Sequence, residues 1–324
     1  MHPPAITPDN ASRIVRLRQF GARPDFESFR GQFLAFDAEG RRLASMGRGA
    51  SGVLQWWDLQ GAEPQRLAAH PVKQGSTVGF LEGDGSIVSL TQKGILRTWS
   101  VSDGALLQEA HLDLYWPDLG LTRQGAQVLV ASRDGHLFLW DVRQWRRTRE
   151  FASHSTPMER CALSPDGRLV VAGPHGHTHQ SGVLRSWEAA TGRELSTIDI
   201  DAPSVEAMTF EPSGHRLAVA THHCRILLIE AATRKMLRAF RAPLCGTYDL
   251  SFSPDGLLLA VAWAGAGFSV LNTENGQEIY SHSDTNDMQG SSARFSPDGS
   301  TLMWGQGNGT VGVWGVAPDH SEAP

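Results

Sequence analysis

Lysine is nearly missing from this chain: Lys73, Lys93 and Lys235 are the only three in 324 residues, while arginine is common. That bias hints at a GC-rich, bacterial genome. Excess positive charge is missing too. The formal net charge is −5, which excludes a general attraction to nucleic acid or to an anionic membrane. Cysteine is equally scarce. Cys161, Cys224 and Cys245 are odd in number and in no metal-ligand spacing, so no disulfide framework is expected. No run of about 18 apolar residues occurs, so no membrane-spanning helix is expected. The opening "MHPPAITPDN" reads as neither a signal nor a transit peptide, and the cytoplasm is the expected location. Catalytic signatures are absent as well: no G-x-S-x-G elbow, no G-x-x-x-x-G-K-[ST] loop and no H-E-x-x-H. Neither an enzyme nor a cofactor is expected.

What the chain has is glycine, tryptophan and repetition. Gly numbers 34 and Trp 10. Abundant Gly argues for many turns and many short strands. "LSPDGRLVVAG" (163–173) and "FSPDGLLLAVA" (252–262) are related, and "FSPDGSTLMWG" (295–305) and "FEPSGHRLAVA" (210–220) follow the same pattern. Weaker copies begin at residues 36, 80 and 121. The turn glycines are Gly40, Gly85, Gly125, Gly167, Gly214, Gly256 and Gly299, spaced by 45, 40, 42, 47, 42 and 43 residues. Seven units of that period are the signature of a repeat architecture. Each unit reads as four strands, a to d, joined by short turns. The third ends on a bulky anchor: Trp57, Trp99, Trp140, Trp187, Ile229, Leu271 or Trp314. No sustained 3.6-residue periodicity occurs, so helices should be few.

On these residues the sequence resembles the WD40-repeat β-propeller family over nearly its whole length. "WD" at Trp57–Asp58 and Trp140–Asp141 matches the family's dipeptide; "WE" at 187–188 and "WS" at 99–100 are near matches. Repeats 5 and 6 depart from it with "IE" and "LN". The resemblance implies an all-β, seven-bladed propeller over residues 11–316, with tails at 1–10 and 317–324. It also implies a His–Ser/Thr–Asp–Trp structural tetrad, fully present only as His111, Ser132, Asp134 and Trp140. The last repeat lacks a fourth strand, and "SRIVRLRQF" (12–20) belongs to no repeat. The N-terminal strand is therefore expected to complete the C-terminal blade and close the ring.

A ring of blades offers a broad rigid face. In the family the d–a and b–c loops share one face, where partners dock. Aligning the repeats places Tyr115, Trp116, Met158, Glu159, Glu206, Tyr248 and Asp249 at the start of strand a, with Arg133 and Trp263 in b–c turns. Aromatics ringed by charge suit a binding hot spot. Glu159, Glu206 and Asp249, from successive repeats, would together favour a basic partner segment. The expected function is a non-catalytic scaffold or adaptor that binds a protein or peptide through this face. A monomeric propeller within a larger hetero-complex is expected. The alternatives are a metal-binding or enzymatic propeller and a small-ligand sensor using the central channel.

One stretch bears on the metal alternative. "AGPHGHTHQSG" (172–182) holds His175, His177 and His179 at alternate positions. It enlarges the b–c turn of repeat 4: turn glycine to anchor takes 20 residues there, against 15 in repeats 3, 5, 6 and 7. The matching turn of the next blade carries His222, His223 and Cys224. Alternate imidazoles about 6.6 Å apart on an extended segment could share a zinc or copper ion with that turn. No carboxylate in the second coordination layer is evident, and a partner-contacting loop is the preferred reading.

Overall fold

A computed structural model describes residues 3–21, 32–47, 52–81, 85–115, 117–121, 127–151, 158, 160–174, 182–263, 267–284, 292–306 and 309–317. Strand β1 (Ile14–Phe20) follows a 3₁₀ turn at Ala11–Arg13. Blade 1 holds β2 (Gln32–Phe36), β3 (Arg42–Gly47), β4 (Val53–Asp58) and β5 (Gln65–Pro71). Blade 2 holds β6 (Gly75–Leu81), β7 (Ser86–Thr91), β8 (Ile95–Ser100) and β9 (Leu106–His111). Blade 3 holds β10 (Asp118–Leu121), β11 (Gln127–Ala131), β12 (Leu137–Asp141) and β13 (Arg146–Glu150). Blade 4 holds β14 (Arg160–Leu163), β15 (Leu169–Gly173), β16 (Val183–Glu188) and β17 (Glu194–Asp199). Blade 5 holds β18 (Val205–Phe210), β19 (Arg216–Thr221), β20 (Arg225–Glu230) and β21 (Met236–Arg241). Blade 6 holds β22 (Thr247–Phe252), β23 (Leu258–Trp263), β24 (Gly267–Asn272) and β25 (Glu278–Ser283). Blade 7 holds β26 (Ala293–Phe295), β27 (Leu302–Gly305) and β28 (Val311–Val316), and β1 pairs antiparallel with β28 as its fourth strand.

The "SPDG" turn explains why blades 4, 6 and 7 start the same way. In blade 4 the Ser164 hydroxyl donates to Asp166 Oδ1 and accepts from the Leu169 amide at 2.9 Å. Ser253 with Asp255, and Ser296 with Asp298, repeat the arrangement. The glycine that follows sits at positive φ (71° at Gly167), which a side chain would oppose. These hydroxyls and carboxylates hold the a–b hairpin in register.

The innermost strands touch in cyclic order, and β26 contacts β2 as well as β22. The core lies between blades. One cluster joins Ala218, Ile226 and Leu228 of blade 5 to Leu250, Phe252 and Leu259 of blade 6. Burying each such Leu or Ile stabilises the fold by about 1.5–3 kcal/mol. Ile229 and Leu271 are 1 % exposed, like Trp314, so an aliphatic fills the anchor position as completely as tryptophan does. Every outer strand bulges by one residue beside that anchor. Such bulges twist an edge away from unwanted pairing.

The N-terminal segment expected as a tail is docked instead. The Ile6 amide donates to Gly299 O at 2.8 Å. Ile6 and Ala11 are buried beside Trp314, Phe268 and Val316, where an apolar seam between blades 6 and 7 needs cover.

Candidate functional site

Hydrogen bonds define one face. The amides of Gln92, Arg133 and His222, in the b–c turns of blades 2, 3 and 5, donate to the carbonyls of Gln74, Tyr115 and Ser204, in the preceding d–a loops. From the next d–a loop, the Ala242 amide donates to Cys224 O at 2.8 Å. Both loop families therefore lie on the same side of the ring. Tyr115, Leu244 and Tyr248 are exposed there at 57 %, 50 % and 38 %, with Arg133 exposed beside Tyr115. Exposed aromatic and aliphatic side chains beside a cation form a surface able to bury against a partner.

Two residues aligned with this surface belong to the core. Met158 is 2 % exposed and packs with Phe151, Cys161 and Trp187. Trp263 is also 2 % exposed; it lies over Gly267, where an added Cβ would sit 2.6 Å from its Cζ2. The missing side chain is what lets the indole fold inward. Trp116 and Glu159 lie outside the described residues.

Of the acidic candidates, the two described ones, Glu206 and Asp249, are each engaged by neighbouring groups. Glu206 Oε2 accepts from the Thr247 amide at 2.7 Å, and Oε1 lies 3.5 Å from His222 Nδ1. Asp249 is buried, with Oδ1 2.7 Å from Arg294 Nη2 of the neighbouring blade. Burial pushes its carboxyl up, against the pull of Arg294. Asp118 and Arg160 make a similar pair across blades 3 and 4, at 3.7 Å. In both pairs a carboxylate of one blade is compensated by an arginine of the next. Alignment missed both pairs because each joins different repeats, and no spacing within one repeat signals them. Further in, strand a of every blade lines a channel cavity of about 290 Å³. The Cys161 thiol on its wall is held neutral by burial.

No family model matches the chain. Curated relatives do. The chain is 24 % identical to the WD repeat-containing protein SL1-17 of Schistosoma mansoni over 48 % of its length and 50 % of that protein's. It is 24 % identical to protein groucho of Drosophila melanogaster over 83 % of this chain and 37 % of the other. It is 26 % identical to the small ribosomal subunit protein RACK1 of Medicago sativa over 51 % and 41 %. The chain is a seven-bladed propeller similar in sequence to WD-repeat proteins. It spans half or less of the length of these relatives.

Within this propeller the expected tetrad of repeat 3 is not joined. The His111 side chain is 66 % exposed and turns to Glu109 Oε1 at 3.2 Å. Ser132 Oγ accepts from the His136 amide, and Asp134 lies 3.8 Å from the His136 ring. Trp140 Nε1 is buried with no hydrogen-bond partner among the described residues. His111 ends β9 on its outward-facing register, which carries its ring away from the indole. Repeat 2 comes closer to the family pattern. His70 stacks on Trp99 at 4.6 Å, and Trp99 Nε1 donates to Ser89 Oγ at 2.9 Å. His282 packs against Trp304 and Trp314, and burial lowers its pKa. These two histidines serve the blade framework.

The candidate metal cluster loses its thiol. Cys224 is bonded to Cys245, their Cα atoms 4.7 Å apart, a single bridge in a chain where no disulfide framework is expected. The bridge ties the b–c turn of blade 5 to the loop entering blade 6, beside Leu244. A separation of 21 residues carries no local pattern; only the hairpin geometry brings the two together. His223 Nδ1 lies 3.0 Å from Asp201 O. Among the described residues no group of three or more His, Cys, Asp or Glu is placed to hold a metal ion. His175, His177 and His179 lie outside the described residues. The ends of their turn are placed: Gly182 N donates to Ala202 O, and Val205 N to Pro174 O. Both His-bearing turns thus root on the same 202–205 loop.

Proposed function

We propose that the protein is a non-catalytic interaction scaffold, docking a protein or peptide through the face that carries Tyr115, Leu244 and Tyr248. The observation that supports this most is the pair of exposed tyrosines on a rigid, hydrogen-bonded rim. Tyrosine presents a large amphipathic surface at low entropic cost, which favours it at interfaces. Asp118 and Asp249 are each paired with an arginine, so specificity would come from the aromatic rim and Arg133. A propeller that offers such a face suits a subunit of a hetero-complex. The Cys224–Cys245 bridge would persist in an oxidising compartment and would be reduced by glutathione in the cytoplasm.

The test is affinity purification from the native host with the unaltered protein and with the Tyr115→Ala, Tyr248→Ala double variant. One partner retained by the first and lost by the second supports the reading. Equal retention by both rejects this face.

A further inference from the structure

We infer that the outer edge of blade 5, strand β21, is a second docking edge, for an extended acidic peptide. Four cations fall within residues 231–247, namely Arg234, Lys235, Arg238 and Arg241, and no acidic residue does, in a chain whose net charge is −5. Lys235, Arg238 and Arg241 are exposed and make no ion pair among the described residues. The outer strands of blades 2 and 4 instead pair a carboxylate with an arginine of the neighbouring strand. Arg97 meets Glu109 at 2.6 Å on blade 2, and Arg185 meets Glu194 at 3.1 Å on blade 4. Arg225, the cross-strand neighbour of Arg241, is already paired with Asp201 at 3.0 Å.

The edge is also apolar and open. Met236 and Leu237 are 45 % and 53 % exposed, and β21 has a strand on one side only. Its bulge falls at Leu237, leaving Arg238–Arg241 as regular ladder with backbone groups free to pair. An open groove lined by His223, Arg225, Phe240 and Arg241 runs beside that stretch. An added strand would take main-chain bonds from the edge and specificity from the cations. Charge complementarity therefore picks an acidic strand. A broad anionic surface fits worse, because the outer strands on both sides carry carboxylates: Glu194 and Asp199 on blade 4, and Glu278 on blade 6.

The probe is a short peptide of alternating Glu and Thr, with a Gln–Thr peptide as its neutral control. Amide hydrogen exchange across Arg238–Arg241 should slow on the order of tenfold with the acidic peptide, equivalent to about 1.4 kcal/mol. High salt and the Arg238→Glu, Arg241→Glu variant should each remove the effect. Both substituted positions are exposed, and an unchanged melting curve verifies the fold. The Tyr115→Ala, Tyr248→Ala variant should still bind, which separates this edge from the tyrosine face. Equal protection by the neutral peptide, or none at β21, overturns the proposal. So does preferential binding to phosphatidylserine vesicles, or concentration-dependent self-association that protects the same amides.

Discussion

Ile14, in the first strand of the chain, faces Val316, at the end of the last. The ladder runs on through Phe20 opposite Val311. Residues far apart in sequence therefore share one blade, and the N-terminal segment adds Ile6 and Ala11 to its core. Deleting residues 1–20 should abolish a single cooperative thermal transition. The milder Ile14→Ala keeps the ladder and should cost about 2–5 kcal/mol in urea unfolding.

The Cys224–Cys245 bridge closes a loop of 21 residues. Loop-closure entropy for that length gives about 3 kcal/mol. Reduction, or Cys224→Ser, should lower the unfolding free energy by about that amount. Exchange should rise locally across residues 242–247. Intact mass before and after alkylation shows whether the bridge is present in a given preparation.

Glu211 and Arg216 meet in two contacts, at 2.8 and 3.1 Å, and Arg216 also donates to Gly256 O of the next blade at 2.7 Å. Burial alone would raise the Glu211 carboxyl. Hydrogen bonds and charge from Arg216 outweigh it and hold the pKa below the usual carboxylate range. A depressed folded-state pKa contributes stability that is complete above the unfolded-state value and lost as pH falls through the folded one. Stability should therefore decline below about pH 4.3. Glu211→Gln should flatten that decline and cost about 1–3 kcal/mol at neutral pH.

Trp263 and Tyr248 separate packing from recognition. Trp263→Ala empties a buried site and should cost about 3–5 kcal/mol. Tyr248→Ala removes an exposed ring and should change stability by about 1 kcal/mol or less. Paired denaturation curves for the two variants decide this.

Repetition made the fold readable. The seven turn glycines, the anchors and the orphan strand near residue 12 place the blades and assign β1 to the last one. Side-chain direction at the face was less readable. Trp263 and Tyr248 both align with the rim, and only the space above Gly267 draws one of them inward. Contacts between repeats left no trace in the spacing: the Cys224–Cys245 bridge, Asp249 with Arg294, and Asp118 with Arg160 depend on how blades meet. His111 matched the family position by register count, while the outward-facing half of β9 decides where its ring points.

The most direct measurement is the equilibrium affinity of the purified protein for the partner it retains from its host, with and without Tyr115→Ala and Tyr248→Ala. Docking through this rim predicts at least about a tenfold loss for the double variant, from two anchors worth about 1–2 kcal/mol each, with an unchanged melting curve. An affinity within about twofold of the unaltered protein, at equal stability, would contradict it.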